Sequence, residues 1–472
     1  MNVTFANAVI NQEERTENGM KTRKGSANSN VDLFFKIGAG RNVDLVPQFI
    51  AALVEDKELA LRILQWSRDI RGGAGERETF RKLLLHLSQT DFANCKKIMN
   101  KVSEIGRWDD LLIFPHESNA EKYAFSLIEN GLRIGNGLCA KWMPRKGYHF
   151  DALQKHLGVS PKQYRKLLVS LTNVVENKMC KSLWKEINYE HVPSVASSRY
   201  RSAFSRHNPE GFLQFVEEVK KGEKKINANA IFPHDVIKSV NIYSRLSEEE
   251  TAFIVAQWDA LPNPFGEEGC QILPMVDVSG SMTISAGKSK TSCLDIAVSL
   301  GLFCADKNKG KFNGTFLTFS ESPELVHLKG DVVQKRHQMM QSKWDMNTNL
   351  HAAFDKVLKV AKDGNVPNSE MPKAILILSD MQFDLCAHYD DSAIQMIERK
   401  YLESGYSIPS IIFWNLRESS GVPVSFDKRG TALISGFSPQ ILSAILSSDL
   451  ESISPESIMK KAIMMDRYAL NL

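Results

Sequence analysis

Three oxygen-bearing side chains follow one apolar run in the stretch LPMVDVSGSM. They are Asp277, Ser279 and Ser281, and alternate side chains of an extended chain point the same way. Two further oxygen-bearing residues come later, since Thr348 lies in the polar stretch WDMNTNLHAAF and Asp380 ends the apolar run ILILSD. Two carboxylates and three hydroxyls suit a hard divalent cation such as Mg²⁺, which prefers about six oxygens and often keeps some as water. These five residues therefore predict a metal site, with Mn²⁺ or Ca²⁺ as alternatives to Mg²⁺.

The elements around these residues alternate between two kinds. From residue 272 to 472, helical runs alternate with apolar strand-like runs, which are ILPMVDVS, GTFLTFS, AILILSDM, IPSIIFWNL and TALISGF. This alternation predicts an α/β doubly wound, Rossmann-like domain with a parallel sheet. Ligands of such sheets bind beyond the carboxyl ends of the strands, which is where Asp277 and Asp380 fall. The competing interpretation is that the same side chains only cap helices and form turns.

The first half of the chain has a different pattern. Residues 1–42 begin polar and turn apolar at VDLFFKIGAG, which predicts an N-terminal arm that packs at its end. Over 43–258, apolar residues recur at the spacings of amphipathic helices, without a fixed repeat period. Two prolines and two glycines in DALPNPFGEEGCQ predict a linker over 259–271. The expected organisation is therefore multi-domain, with an arm, an all-α domain, a linker and an α/β domain over 272–472.

Charge is distributed unevenly along the chain. Residues 1–250 hold 38 Lys and Arg against 30 Asp and Glu, whereas residues 251–472 hold 21 against 25. Within 141–206 there are 13 basic and 4 acidic residues, interleaved with aromatic side chains. Basic side chains neutralise phosphates and aromatic rings stack on unpaired bases, so this segment predicts an RNA-binding surface. The candidate contacts are Lys141, Arg145, Lys146, Lys162, Arg165, Lys166, Arg199, Tyr200, Arg201 and Arg206.

These residues also have a simpler interpretation. The cations form a solvated basic face, and the aromatic rings are buried in the core. Two other stretches are equally open. RGGAGER, residues 71–77, has glycines that can present backbone N–H groups to a phosphate, but a tight turn between helices is favoured. GRWDD, residues 106–110, holds adjacent carboxylates that suggest nuclease chemistry. No third acid or histidine lies nearby in the sequence, so helix capping by an Asp is favoured there.

Composition narrows the class of protein. The chain has 472 residues, which is too long for one ordinary hydrophobic core. Its composition, 43% hydrophobic and 24% charged, is typical of globular proteins. No apolar run is long enough to span a membrane, and no signal-peptide pattern opens the sequence. Seven scattered cysteines without a Cys-x-x-Cys pair predict reduced thiols and no zinc site. We therefore expect a cytoplasmic protein without membrane contact. The sequence shows no His/Cys/Ser constellation or phosphate loop, so no enzymatic activity is expected.

The order Asp-x-Ser-x-Ser, later loop Thr, strand-end Asp resembles the metal-ion-dependent adhesion site of von Willebrand factor A domains. The resemblance implies carboxylate ligands at Asp277 and Asp380, either direct or through water. It implies hydroxyl ligands at Ser279, Ser281 and Thr348, with the sixth position taken by water or by a partner's carboxylate.

A helical domain followed by an A domain resembles the TROVE family of Ro ribonucleoproteins, in which a ring of HEAT-like helical repeats binds small non-coding RNAs. A nearer resemblance, over nearly the whole chain, is to uncharacterised relatives of that family in plants and large viruses. The stretches that carry it are RDIRGGAGERETF, GRWDDLL, KWMPRKG, YEHVPSVASSRYRSAFSRH, IIFWNLRE and ALISGFSPQIL. The resemblance implies a Ro-like ribonucleoprotein scaffold that binds small non-coding or structured RNA, with a metal site for partner contact. The competing function is a protein-binding assembly module, in which the metal grips an acidic residue of a partner and RNA has no role.

Overall fold

The computed structural model describes most of the chain. The described residues are 13–15, 21–38, 44–172, 174–238, 240, 246–266, 269–286, 291–320, 322–342, 349–381, 393–417, 422–450 and 452–470. Within them a helical region comes first and a region of mixed strands and helices follows, so the predicted order of the two classes of structure is confirmed. The HEAT-like repeat and the von Willebrand factor A fold stay predictions.

The helical region is built from short amphipathic helices whose apolar faces meet in a core. Leu83, Leu84 and Leu87, for example, are buried on one face of one helix. Side-chain caps start many of these helices, as where Asp91 Oδ1 accepts a hydrogen bond from Asn94 N–H at 3.2 Å. A hairpin of β1 (Glu13–Arg15) and β2 (Lys21–Arg23) comes first. The helices are then α1 (Ser29–Ile37), α2 (Val46–Glu55), α3 (Lys57–Arg68), α4 (Glu78–Thr90), α5 (Phe92–Ile105), α6 (Asn119–Arg133), α7 (Gly137–Trp142), α8 (Tyr148–Leu157), α9 (Pro161–Leu171), α10 (Val175–Cys180), α11 (Ser194–His207), α12 (Pro209–Lys220), α13 (Pro233–Ile237) and α14 (Glu248–Asp259).

The α/β region is built around a six-stranded sheet. Its strands are β3 (Ile272–Asp277), β4 (Thr315–Phe319), β5 (Leu325–His327), β6 (Ala374–Ser379), β7 (Ser410–Asn415) and β8 (Thr431–Ser435). Its helices are α15 (Cys293–Lys307), α16 (Val332–Met340), α17 (Leu350–Asp363), α18 (Ala393–Glu403), α19 (Leu442–Leu446) and α20 (Pro455–Ile463). Every residue of β3, β6, β7 and β8 is buried, which is the pattern of a parallel sheet covered on both faces.

The strand order is β5-β4-β3-β6-β7-β8, in which β5 is antiparallel and every other neighbouring pair is parallel. The chain moves from β3 outward to β4 and β5, and then crosses to β6 on the other side of β3. This reversal makes the sheet doubly wound and places its topological switch point between β3 and β6. Ligands of open α/β sheets bind beyond the carboxyl ends of the strands at such a point. The residues that follow β3 and β6 are therefore the expected ligand site.

The predicted N-terminal arm contacts the α/β region. Arg23 forms an antiparallel bridge with Val422, in which each backbone N–H donates to the other's carbonyl oxygen. Helix α1 packs against β8, where Ser435 Oγ accepts a hydrogen bond from Gly38 N–H at 3.1 Å. A Cβ at Gly38 would lie 2.5 Å from the Gly436 Cα, so only glycine permits this close approach of the two backbones.

The segment after α20 reaches back to the helical region. Its short 3-10 helix, Asp466–Tyr468, lies against α3 and α5. Gln65 Nε2 donates to the carbonyl oxygen of Tyr468 at 3.0 Å, and Lys101 Nζ donates to that of Arg467 at 3.1 Å. Side chains from both regions belong to one continuous cluster of buried apolar residues, so the two regions share a core.

Of the predicted linker, residues 259–271, the structure describes all but 267 and 268. Leu261 and Phe265 are buried, and Cys270 N–H donates to Asn308 Oδ1 at 2.9 Å. Asn263 Nδ2 donates to the carbonyl oxygen of Lys307, the last residue of α15, at 3.3 Å, and the linker itself stays a prediction. No helix in the described part of the chain combines the length and apolar character that a membrane crossing needs.

Candidate functional site

The strand-end residues predicted from the sequence lie at one edge of the sheet. Asp277 is the last residue of β3, and Asp380 directly follows β6, the parallel neighbour of β3. Both side chains are fully buried. Ser279 follows β3 and Ser281 lies in the short 3-10 helix Gly280–Thr283. The fold therefore places four of the five predicted metal ligands beside the switch point of the sheet.

Hydrogen bonds fix the orientation of Asp277. Its Oδ1 accepts from Ser279 N–H at 2.9 Å, and its Oδ2 accepts from the Ser379 hydroxyl at 2.5 Å. The hydroxyl oxygens of Ser279 and Ser281 lie 3.0 Å apart, so the two predicted hydroxyl ligands do point the same way. Ser379 was not predicted, although its position one residue before Asp380 on a buried strand was a usable signal.

The two buried carboxylates repel each other. Burial, and then the charge of Asp380, raise the pKa of Asp277 to about 7. Arg417 supplies nearby positive charge, since its Nη1 lies 3.4 Å from Asp380 Oδ2. The guanidinium faces only one of the two acids at this distance. A further positive charge between the carboxylates would therefore stabilise the ionised pair.

Two more polar side chains, missed by sequence reasoning, lie at neighbouring strand ends. Ser320 follows β4 and Asn415 ends β7, and both are buried. Within the described ranges, Ser320 Oγ and Asn415 Nδ2 have no hydrogen-bond partner. Buried polar groups are normally satisfied by protein or by ordered water, so this edge of the sheet can hold water or an ion with its water shell. Serine and asparagine at the ends of apolar runs were the available signal.

The backbone is strained beside Asp380. Met381 has a φ of 66°, in the left-handed region that side chains other than glycine rarely adopt. Its N–H donates to Ser379 Oγ at 3.0 Å, which holds the turn. Such strain often occurs where the chain must present a side chain at a functional position.

The fifth predicted ligand, Thr348, lies outside the described residues, as does the nearby Asp384. Among the residues that are described, no group of three or more His, Cys, Asp or Glu side chains is arranged to hold a metal ion. A cation at this edge would therefore use two carboxylates and several hydroxyls, which is the donor set the sequence predicts.

The predicted RNA contacts lie on three helices and one loop of the helical region. Lys141 is on α7 and is half-buried, and the remaining cations apart from Arg201 are exposed. We define the basic surface as Lys141, Arg145, Lys146, Lys162, Arg165, Lys166, Arg199 and Arg206. Helix α9 packs on α7, and α11 follows in the chain after α10. The residues grouped under this name thus lie on α7, on α9 beside it, on α11 and in the loop after α7.

Two of the predicted RNA contacts differ from the exposed cations, since Arg201 is buried and Tyr200 is half-buried. Arg201 is buried, its Nη1 donates to the Ser198 carbonyl oxygen at 3.2 Å, and burial lowers its pKa. Tyr200 packs against a small apolar core and donates its hydroxyl to Glu176 Oε1 at 3.2 Å. The helical period explains both positions, because α11 must turn some of its polar residues inward to pack. The guanidinium of Arg201 therefore does not reach an external phosphate.

The acidic pair in GRWDD is part of an ion-pair network. Asp110 is fully buried and accepts from the Nε–H groups of Arg68 and Arg81, each at 2.7 Å. It also accepts from Arg107 N–H at 2.8 Å, which caps the short 3-10 helix Trp108–Leu111. The capping role favoured from the sequence is present. Because all of these contacts are internal, the carboxylate has a structural role.

The glycine-rich stretch RGGAGER forms a tight turn over the end of α3. Backbone N–H groups of Ala74 and Glu76 donate to the carbonyl oxygens of Trp66 and Ser67. A Cβ at Gly73 would lie 1.9 Å from the Trp66 carbonyl oxygen, so glycine is needed there. These N–H groups serve the turn, as favoured from the sequence, and are not available to a phosphate.

Comparisons with known proteins find relatives that have no assigned activity. Residues 271–467 match a family described as a domain of unknown function (DUF7788), and residues 160–270 match a second one (DUF2828). The uncharacterized protein L728 of Acanthamoeba polyphaga mimivirus is 28% identical over 518 residues, which cover 97% of this chain and 88% of that protein. This match agrees with the resemblance to uncharacterised relatives in large viruses.

Among solved structures, the crystal structure of the Deinococcus radiodurans Ro (RSR) protein is similar at a TM-score of 0.39 and 14% identity. The similarity covers 92% of this chain and 93% of that one. A similarity this low carries no argument about function, so a functional proposal rests on this chain's own residues.

Proposed function

We propose that this protein is a ribonucleoprotein scaffold that binds RNA through the basic surface. One observation carries the proposal. The exposed cations of that surface have no carboxylate partner among the described residues, and neither does Lys141. No described carboxylate therefore neutralises these charges, and several such charges on the helical region favour a polyanion.

The preceding part of the helical region is different. There, Arg62 pairs with Glu58, and Arg68 and Arg81 pair with Asp110. Part of the positive charge there is therefore neutralised within the fold.

Flat side chains lie close to the unpaired cations. The Arg165 guanidinium lies 5.0 Å from the centre of the Phe150 ring. Tyr148, which is 39% exposed, stacks on the exposed His116 ring with the two centres 3.4 Å apart. Exposed rings and guanidinium planes stack on unpaired bases, so the favoured ligand is single-stranded or looped RNA.

The experiment that tests this proposal is a fluorescence-anisotropy titration with a labelled single-stranded RNA. Affinity should fall as salt rises, because each neutralised phosphate of a single strand contributes about −0.7 to the slope of log K against log salt. Absence of binding at 50 mM salt, a low ionic strength that strengthens such contacts, would contradict the proposal. The proposed role is that of a scaffold and includes no catalytic step.

The strand-end residues support a second proposal, which is a divalent cation at the sheet edge, Mg²⁺ first and Mn²⁺ or Ca²⁺ as alternatives. Asp277 and Asp380 would hold it, and the hydroxyls of Ser279 and Ser281 would contribute oxygen ligands. The supporting observation is the buried acid pair, in which burial and then the charge of Asp380 raise the pKa of Asp277. When bound, such an ion offers an open position to a carboxylate of a protein partner. A metal ion that binds a partner's carboxylate would also fit the alternative function, which is a protein-binding module without a role for RNA.

A further inference from the structure

A cleft of about 260 Å³ lies within the region that carries the basic surface. Helix α7 forms one side with Leu138 and Lys141, and α10 and the segment after it form the other side, including Glu176, Lys178 and Ile187. Pockets for drug-sized ligands measure about 300–1,000 Å³, so a smaller ligand of the size of one nucleobase suits this cleft.

The cleft contains one acidic group. Glu176 Oε1 accepts the hydrogen bond from the Tyr200 hydroxyl at 3.2 Å. Its other oxygen, Oε2, is buried and has no hydrogen-bond partner among the residues that the structure describes. A buried acceptor that lacks a donor costs about 1–3 kcal/mol relative to a satisfied one. An N–H donor that reaches this oxygen from the cleft would remove that cost.

The remaining lining is apolar or basic. Leu138 and Ile187 provide apolar contact, and Leu138 is 62% exposed. Lys141, Lys178 and His191 also line the cleft. The cleft therefore offers a carboxylate acceptor, apolar walls and cations together.

We infer that this cleft takes one unpaired guanine of the RNA strand, with Glu176 accepting from its Watson–Crick edge. This inference rests on the RNA-binding function proposed above. Guanine presents two adjacent donors, N1–H and the N2 amino group, to a carboxylate. Adenine and cytosine each present one amino group next to a ring nitrogen that accepts, and that nitrogen would face the carboxylate unfavourably. Lys141 and Lys178 lie where they can neutralise the flanking phosphates.

The charge around the cleft favours a nucleotide over a basic side chain of a protein partner. A guanidinium would also satisfy Glu176, but it would have to approach Lys141, Lys178 and the rest of the basic surface. Like charges brought together across an interface disfavour binding. A nucleotide carries its donors on the base and its negative charge on the phosphates, which matches both features.

The test is a set of titrations of the full chain at 50 mM salt with uridine 12-mers. Each 12-mer has one central residue that is guanosine, inosine, adenosine, cytidine or uridine. Guanosine should bind about tenfold more tightly than adenosine, since a good bidentate contact to a base gives about 1–3 kcal/mol of discrimination. Inosine, which lacks the N2 amino group, should fall between them. In Glu176→Gln, which has one acceptor and one donor, the preference for guanosine should drop below about threefold.

The matched control is Glu210→Gln, at an exposed acid of α12, which should keep the guanosine preference. The comparison of inosine with guanosine uses only the wild-type protein, so it tests the guanine site even if Glu176→Gln is unstable. Equal affinity for all five 12-mers would overturn the guanine site and leave the RNA-binding function standing. Failure to bind any 12-mer would overturn both. Binding of an arginine-rich peptide that is lost in Glu176→Gln, without base preference, would assign the cleft to a protein partner and overturn the inference.

Discussion

Tyr468 donates its hydroxyl to Asp69 Oδ2 at 3.0 Å, across 399 positions of the sequence. Arg467 pairs with the same carboxylate, with Nη2 at 3.1 Å from Oδ1. Asp69 is fully buried at the end of α3, so these donors replace the water that it loses on folding. The contact joins the α/β region to the helical region through a buried charge.

Tyr468→Phe should lower the free energy of unfolding by about 1.5–3 kcal/mol, the range for hydrogen bonds to charged groups. The ring keeps its packing, so the loss reports the hydroxyl. Urea denaturation followed by circular dichroism measures it. Tyr123→Phe is the matched control, because that hydroxyl bonds to Asn100 at the surface, and its change should stay within about 0.5 kcal/mol. Equal effects of the two variants would show that the Asp69 contact adds no stability.

Limited proteolysis should leave residues 259–266 intact, although their Pro/Gly composition indicates a cleavable linker. Protease cleavage needs exposed, mobile backbone, whereas Leu261 and Phe265 are buried here. Because the two regions share a core, urea should unfold them in one transition. Mass spectrometry of the early proteolytic fragments shows where the chain is cut. Rapid release of separate helical and α/β fragments would contradict the shared core.

Sequence reasoning could predict the order of the regions, but not how they are joined. Apolar periodicity reports which face of a helix is buried and not what covers it. Nothing local to Asp69 indicates a partner at Tyr468, and nothing local to Gly38 indicates contact with Gly436. These contacts depend on how the chain returns on itself, so only the assembled fold shows them.

Asp110→Ala should be strongly destabilising, by about 3–5 kcal/mol, because removing one partner leaves buried charges uncompensated. The charges left behind are those of Arg68 and Arg81. Thermal or urea unfolding measures the loss, and Asp363→Ala at an exposed helix end is the control. A folded, fully stable Asp110→Ala protein would rule out the structural role and reopen a chemical role for GRWDD.

Mg²⁺ should raise the melting temperature of the protein, and Asp277→Asn should abolish that response. A ligand that binds only the folded state stabilises it by RT ln(1 + [L]/Kd), about 2.7 kcal/mol at a hundredfold excess over Kd. The variant removes a charged ligand but keeps its size. Differential scanning fluorimetry over a Mg²⁺ series, with Mn²⁺ and Ca²⁺ in parallel, is the measurement. Asp363→Asn serves as the control that should still respond. An unchanged response in Asp277→Asn would reject the cation site.

At the candidate sites, the sequence indicates which residues end the strands, but it does not indicate which side of a helix faces the core. Asp277 and Asp380 were predicted because parallel strands end at a common edge. Ser320 and Asn415 follow the same rule, but a single Ser or Asn at a strand end is too common to single out. Arg201 is buried, and charge alone does not tell which side of α11 faces the core. The Glu176 cleft involves segments far apart in sequence and had no local signal.

The most direct test of RNA binding compares two triple variants of equal charge change. One replaces Lys141, Arg145 and Lys146 of the basic surface with glutamine, and the other replaces the exposed cations Lys329, Lys359 and Arg429 of the α/β region. Titrations with single-stranded RNA over a salt series give log K against log salt for each. Loss of three phosphate contacts should flatten the slope by about two units in the first variant and leave the second close to wild type. Identical slopes in both variants, or an affinity that salt does not change, would contradict RNA binding through the basic surface.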